Sequence, residues 1–292
     1  MSGRFRSLAA ITGMLLLSWW HSCSSPAEAR GSLVIIGGGR RPAAIMNRIV
    51  SLAGGAEARI VVIPNASADP VGVGRRQAAE LARYGADTVQ CLLFDRLNAD
   101  SLPHLEVIRG VTGIFFSGGD QTRLTRDLNQ TRLLAEIHAA YQRGAVIAGT
   151  SAGAAVMSAI MITGGELVNR DTSNAFAGIM AKNVATEAGF GFVDEAIIDQ
   201  HFIKRRRQNR LLSLTLENPH LLGIGIDEAT AIVVKPDRTF EVIGENTVMV
   251  FDARRAVSIG TDSVGNLAGH QITCHLLRSG QQFDLKTGKI IR

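Results

Sequence analysis

A serine between two glycines, in Gly149-Thr150-Ser151-Ala152-Gly153, has the G-x-S-x-G spacing of a nucleophile on a sharp turn. The apolar run Ala145 to Ala148 precedes it and small residues from Ala152 follow, so the pattern reads strand, turn, helix. Such a turn lifts the hydroxyl out at a helix N-terminus, where the N–H of Ala152 can face a developing oxyanion. A Gly/Ser-rich βα turn with no chemistry has the same composition. The choice between them rests on whether the chain also supplies a base and an acid.

The chain has seven histidines, one of them, His21, in the N-terminal segment. His104 and His138 fall on exposed-looking loop or helical stretches, His270 and His275 in C-terminal hairpins, and His220 after Asn218-Pro219 at a helix end. His201 alone ends a β-rich run, Ala196-Ile197-Ile198-Asp199-Gln200, on the same edge as Ser151, which suits it to general-base work. A third group should fix its tautomer and stabilise the imidazolium. Asp199, Asp227, Glu228 and Glu166 are the candidates. Asp199 shares a strand face with His201, so both would point at substrate space. Glu228 ends the next strand and can approach the imidazole from behind. The resulting order, Ser then His then Glu, differs from that of the α/β-hydrolases, which place the acid before the histidine.

These residues need a scaffold. Leu33 to Ile36, Ile60 to Ile63, Val89 to Phe94, Gly113 to Phe116 and Ala145 to Ala148 are continuous apolar strands. Helices are expected over 42–52, 72–85 and from 121 to about 143. Continuous apolar strands separated by helices indicate an α/β fold, a doubly wound and mostly parallel sheet covered on both faces. Ligands bind at the carboxyl edge of such sheets, where the Gly-Gly, Ser-Gly-Gly-Asp and Gly-Thr-Ser segments fall. A basic helix is expected over 203–217 and hairpins from 239. The Gly-, Ala- and Asn-rich stretch 163–190 reads as a long loop with a short helix near the site. No linker divides residues 30–292, which read as one domain with a core over about 33–250 and a β-rich tail over 251–292.

At 292 residues and 46% hydrophobic content, the chain can bury a sizeable core. Its N-terminus stands apart. Arg4 and Arg6 precede the apolar run Leu8 to Trp20, and Pro26-Ala27-Glu28-Ala29 supplies an A-x-A site, so residues 1–29 read as a secretory leader cut near Ala29. A secreted or periplasmic location follows. Cys23 raises a lipoprotein alternative, against which Trp20-His21-Ser22 is a poor lipobox. Cys91 and Cys274 then remain, as a disulfide or as two buried thiols, and no Cys/His cluster has metal-ligand spacing. The net charge of +5 includes the run Lys204-Arg205-Arg206-Arg207. Without interleaved aromatics, and behind an export signal, that run argues for an acidic substrate rather than nucleic acid.

Four ordered blocks, Ser117-Gly118-Gly119-Asp120-Gln121, Gly149 to Ala154, Asp199-Gln200-His201-Phe202 and Gly225-Ile226-Asp227-Glu228, resemble those of the cyanophycinase and aspartyl dipeptidase serine peptidases, which share the class I glutamine amidotransferase fold. The third block continues as Arg205-x-Arg207-x-x-Arg210, as in the cyanophycinase branch. The resemblance implies Ser151 as nucleophile, His201 as base, Glu228 as its acid, and the N–H groups of Gly119 and Ala152 as oxyanion donors. It implies a substrate pocket lined by Gln121, Asp199, Gln200, Arg205, Arg207 and Arg210, with no metal or organic cofactor. The implied partner is a peptide or polymer rich in Asp and Arg; a homodimer stays open as the assembly, and no segment after residue 29 reads as a membrane span. Cyanophycin, a poly-aspartate bearing arginine on each side chain, would set its carboxylates on the arginines and its guanidinium on Asp199. On a helix Arg205 and Arg210 would stand about 140° apart, leaving at least one for structure. Two readings stay beside this one: a peptidase for other aspartyl or isoaspartyl peptides, and a non-catalytic binding module. The turn Gly37-Gly38-Gly39-Arg40-Arg41-Pro42 departs from the acidic segment expected of the family.

Overall fold

Alternate residues of the first strand separate into two cores: Leu33 and Ile35 join one, Val34 and Ile36 the other. This is the two-sided burial that its continuous apolar sequence requires. The computed structural model describes residues 31–168 and 175–291; the expected leader lies outside them. In chain order the first half runs β1 (Leu33–Ile36), α1 (Ala43–Leu52), β2 (Arg59–Ile63), α2 (Pro70–Arg83), β3 (Thr88–Cys91), α3 (Leu102–Arg109), β4 (Gly113–Phe116), α4 (Gln121–Leu128), α5 (Arg132–Arg143), β5 (Val146–Thr150), α6 (Ala152–Ala155). The second half is β6 (Ile160–Glu166), β7 (Val184–Ala188), β8 (Ala196–Gln200), α7 (Gln208–Glu217), β9 (Leu222–Ile226), β10 (Thr230–Val234), β11 (Thr239–Gly244), β12 (Val248–Asp252), β13 (Val257–Thr261), β14 (Leu267–His270), β15 (Thr273–Leu277), β16 (Gln282–Asp284), β17 (Lys289–Ile291).

The main sheet has nine strands in the order β17-β16-β11-β10-β1-β5-β4-β2-β3. From β1 to β3 every pairing is parallel; from β1 outward through β10 every pairing is antiparallel. Side chains of α1 and Leu81 of α2 cover one face, and those of α3 to α6 cover the other. This is the expected α/β architecture, with one difference that matters for chemistry. β8 and β9 do not join the main sheet but pair in parallel within a second sheet, β15-β12-β9-β8. Ile198, Ile224 and Ile226 point from this sheet into the same core as Ile35 and Ile147. Its other face, with Ile197, packs on Leu211 and Leu214 of α7. After β9 the chain turns through Ala229, at φ 54°, and crosses to the main sheet as β10.

Four local expectations are corrected. The helix drawn to Arg143 is two, because Gln130 adopts φ 61° and Thr131 starts α5 by accepting the N–H of Leu134 on its hydroxyl at 3.1 Å. The basic helix begins at Gln208, since Arg206 at φ 53° keeps residues 201–206 in turns. Stretch 163–190 is built around an antiparallel pair, β6 with β7, whose register shifts across Gly164-Gly165 and so hides the strand period. Residues 169–174 of that stretch lie outside the described residues. Cys91 and Cys274 are free and exposed, not buried or bridged. Among the described residues no helix is long and apolar enough to cross a membrane.

Candidate active site

Ser151 occupies φ 54°, ψ −110°, a conformation that costs a non-glycine residue about 1–3 kcal/mol and is retained where surroundings over-determine it. The surroundings do so. Its N–H donates to the Ile36 carbonyl at 3.1 Å, and its own carbonyl accepts from Ala154 and Ala155 at 3.0 Å each. Gly153 lies so close to the Phe116 carbonyl that a Cβ there would collide with it, so the flanking glycine is required by close approach.

The hydroxyl of Ser151 is 2.9 Å from Nε2 of His201, and Nδ1 of the same ring is 2.6 Å from a carboxylate oxygen of Glu228. Nδ1–H therefore donates to Glu228, leaving the Nε2 lone pair to accept the serine proton. Serine comes from the main sheet, whereas histidine and glutamate follow β8 and β9 of the second. Of the four carboxylates raised by the sequence, only Glu228 meets the imidazole. Asp227 instead accepts the N–H of Lys204 at 2.9 Å, and Glu166 holds Phe176 N–H and the Asn183 amide at 2.9 and 2.7 Å.

His201 is held below the ordinary imidazole range, mainly by burial, with the Arg205 and Arg207 charges adding to the effect and Glu228 opposing it. The ring is thus neutral at neutral pH, as a base must be. The N–H groups of Gly119 and Ala152 have no partner among the described residues, and a methyl at Gly118 would sit 3.3 Å from Ser151 Cβ. The N–H next in sequence to the serine and that of Gly119 are therefore both uncommitted among these residues.

The expected substrate pocket is partly reassigned. Asp199 and Arg210 are 1% and 3% exposed and form a bidentate ion pair, Nε to Oδ2 at 2.7 Å and Nη2 to Oδ1. Phe176 stacks over that guanidinium at 5.5 Å. Neither charge is presented to a ligand; the pair ties β8 to α7. Gln121 spends both amide hydrogens on the carbonyls of Ile162 and Thr163, at 2.7 and 2.8 Å, fastening α4 to β6. Gln200 is buried, its Oε1 accepting from Arg207 at 2.8 Å. Arg207 also donates to the Gln200 carbonyl at 2.7 Å, and burial, reinforced by the charge of Arg210, pushes it down to about 10. It stays cationic at neutral pH with its Nη2 uncommitted among the described residues. Arg205 is exposed and its guanidinium has no partner there. Replacing Asp199 with Asn should leave Arg210 buried without a counterion and cost about 3 kcal/mol of stability. A denaturation midpoint equal to wild type would contradict the structural role.

The sequence reading placed the turn after β1 at the ligand-binding edge but gave it no role in holding the three residues. The carbonyls of Ile36, Gly37 and Gly38 accept in succession from the N–H groups of Ser151, His201 and Ala229, the last two at 2.6 and 2.9 Å. Gly38, at φ 103°, lies against the imidazole, and a Cβ there would fall 2.5 Å from Nε2. The run of three glycines after a strand was the available signal. Asn246 was missed; its amide donates to the Glu228 carbonyl at 2.7 Å.

The model of peptidase family S51 matches residues 33–242. A cyanophycinase from Geminocystis herdmanii is 36% identical over 88% of this chain and 95% of its own length. One from Trichormus variabilis is 34% identical over 89% of this chain and 88% of its own. In fold, the chain is similar to the crystal structure of a peptidase from an acI-B1 Actinobacterium, with a TM-score of 0.64 at 23% identity, covering 88% of this chain and 98% of that one. Geometry and relatives agree on one class: the chain belongs to peptidase family S51 and is a serine-type peptidase.

Proposed function

We propose that this chain hydrolyses cyanophycin to β-Asp-Arg dipeptides, with Ser151 as nucleophile. The observation that carries the reading is the in-line hydrogen bonding of Ser151, His201 and Glu228, with Arg205 and Arg207 beside it. In this mechanism Oγ attacks the aspartyl carbonyl while Nε2 takes its proton. The oxyanion is stabilised by the N–H groups of Gly119 and Ala152. The imidazolium, held by Glu228, then protonates the leaving amine, and the acyl group remains as an ester on Ser151. Water, deprotonated by Nε2, cleaves that ester and restores the serine. Arg205 and Arg207 offer donors to substrate carboxylates.

A second reading has one observation in its favour. Arg210 occupies Asp199, so the pocket beside Arg207 holds free cations but lacks the free carboxylate expected for a guanidinium. That suits peptides with aspartyl or isoaspartyl groups and no arginine. Export rests on the leader pattern of residues 1–29. The test uses protein recovered outside the cytoplasm, with its N-terminus sequenced, incubated with cyanophycin granules and with isoaspartyl dipeptides. Release of β-Asp-Arg by a chain beginning near Arg30 is expected. Turnover of isoaspartyl dipeptides alone selects the second reading, and retention of residues 1–29 refutes cleavage of the leader.

A further inference from the structure

A cavity of about 470 Å³ opens on the far side of the segment that carries Gly119, between the turns after β2 and β3 and one face of α4. That volume lies within the range of small-ligand sites. It shares a wall with the Gly119 segment: the Asp120 N–H donates to the Ala66 carbonyl at 2.8 Å, and Asn65 and Ser67 on either side of Ala66 line the cavity. One polar atom beside it is buried without a partner, and two of its charged side chains keep free capacity toward solvent. Asn65 is 8% exposed, and its amide nitrogen is fixed by the Phe94 carbonyl at 2.8 Å and by Asp127 at 3.0 Å. Its Oδ1 is thereby left buried without a donor among the described residues. A buried acceptor of this kind costs about 1–3 kcal/mol unless something donates to it. Asp95 uses Oδ1 on the N–H groups of Leu97 and Asn98, at 2.8 and 3.0 Å, and keeps Oδ2 free. Arg123 spends only Nη1, on the Ser67 carbonyl at 3.0 Å. Arg126 is neutralised by Asp127.

The cavity thus offers the free carboxylate oxygen of Asp95 and the remaining donors of the Arg123 guanidinium. This is the complement of a zwitterion bearing a guanidinium and a carboxylate. We propose that it is a second substrate subsite, holding the arginine of a polymer unit next to the one bound beside Arg207. Asp95 accepts from that arginine's guanidinium, and Arg123 pairs with its carboxylate. The inference rests on the cyanophycin reading and supplies the guanidinium partner that Asp199 does not.

The test is a citrulline scan. Four-unit β-Asp-Arg oligomers carry one citrulline each, a neutral isostere of arginine, and kcat/KM is measured for wild type and Asp95→Asn, which retains the Oδ1 acceptor of the 95–98 turn. At one position citrulline should cost wild type about tenfold and Asp95→Asn almost nothing, the coupling expected of a direct contact. Positions whose penalty is unchanged show that the variant is folded. Arg123→Gln should weaken turnover of oligomers with a free arginine carboxylate, and much less those amidated at that position. Equal citrulline penalties in both proteins at every position overturn the subsite while leaving the main reading intact. Failure of wild type to cleave any oligomer removes the cyanophycin reading and the subsite together.

Discussion

Ser151→Ala is expected to yield a folded protein that binds substrate with near-wild-type affinity and whose kcat falls by about 10⁵-fold or more. Alanine keeps the Cβ, so the strained backbone at φ 54° and its hydrogen bond to Ile36 persist. Only the oxygen 2.9 Å from His201 Nε2 is lost. What survives is whatever the Gly119 and Ala152 donors achieve with water, because His201 alone cannot form the acyl-enzyme. Binding measured calorimetrically beside turnover separates this from misfolding. A kcat within tenfold of wild type would mean that the elbow is merely a packing site.

Glu228→Gln should lower kcat by about 10³- to 10⁴-fold with little change in stability. The amide can present N–H to Nδ1, which drives the ring proton to Nε2, the atom that must accept from Ser151. The pH profile gives a second signature. In wild type the acid limb of kcat/KM should fall below the pKa of a free imidazole, about 6.5, because burial and the two arginines disfavour the imidazolium. Glu228 works in the opposite direction, so removing its charge should move the acid limb further down. A limb that moves upward, or activity that survives Glu228→Gln and not Asp227→Asn, would mean that the wrong carboxylate has been assigned.

That Ser151, His201 and Glu228 come together was legible because each stands at a strand end, where type and position carry information together. The parallel half of the sheet was legible for a related reason: strands such as Leu33–Ile36 and Arg59–Ile63 are apolar at nearly every position, which only two-sided burial explains. The fate of Asp199 was not. A carboxylate two residues before a catalytic histidine and an arginine on the next helix look alike whether they meet a ligand or each other, and only the packing of β8 on α7 decides it. Nor did periodicity reveal the second sheet. β9 and β10 are equally buried, and the Asp227–Ala229 turn sends them to different layers without any change in burial pattern.

Three successive backbone carbonyls after β1 hold the segments bearing Ser151, His201 and Glu228, so residues far apart in sequence are set against a single ruler. None of the carbonyls belongs to a segment that reaches toward the cavity at Asn65, and the turn that presents them requires only that Gly37 and Gly38 carry no side chain. The spacing of the reacting atoms is therefore written in main-chain atoms alone, while what they act upon is written in side chains elsewhere. Selectivity in this scaffold can drift by substitution at positions such as Asp95, Arg123 or Arg205 without disturbing the alignment of the proton relay.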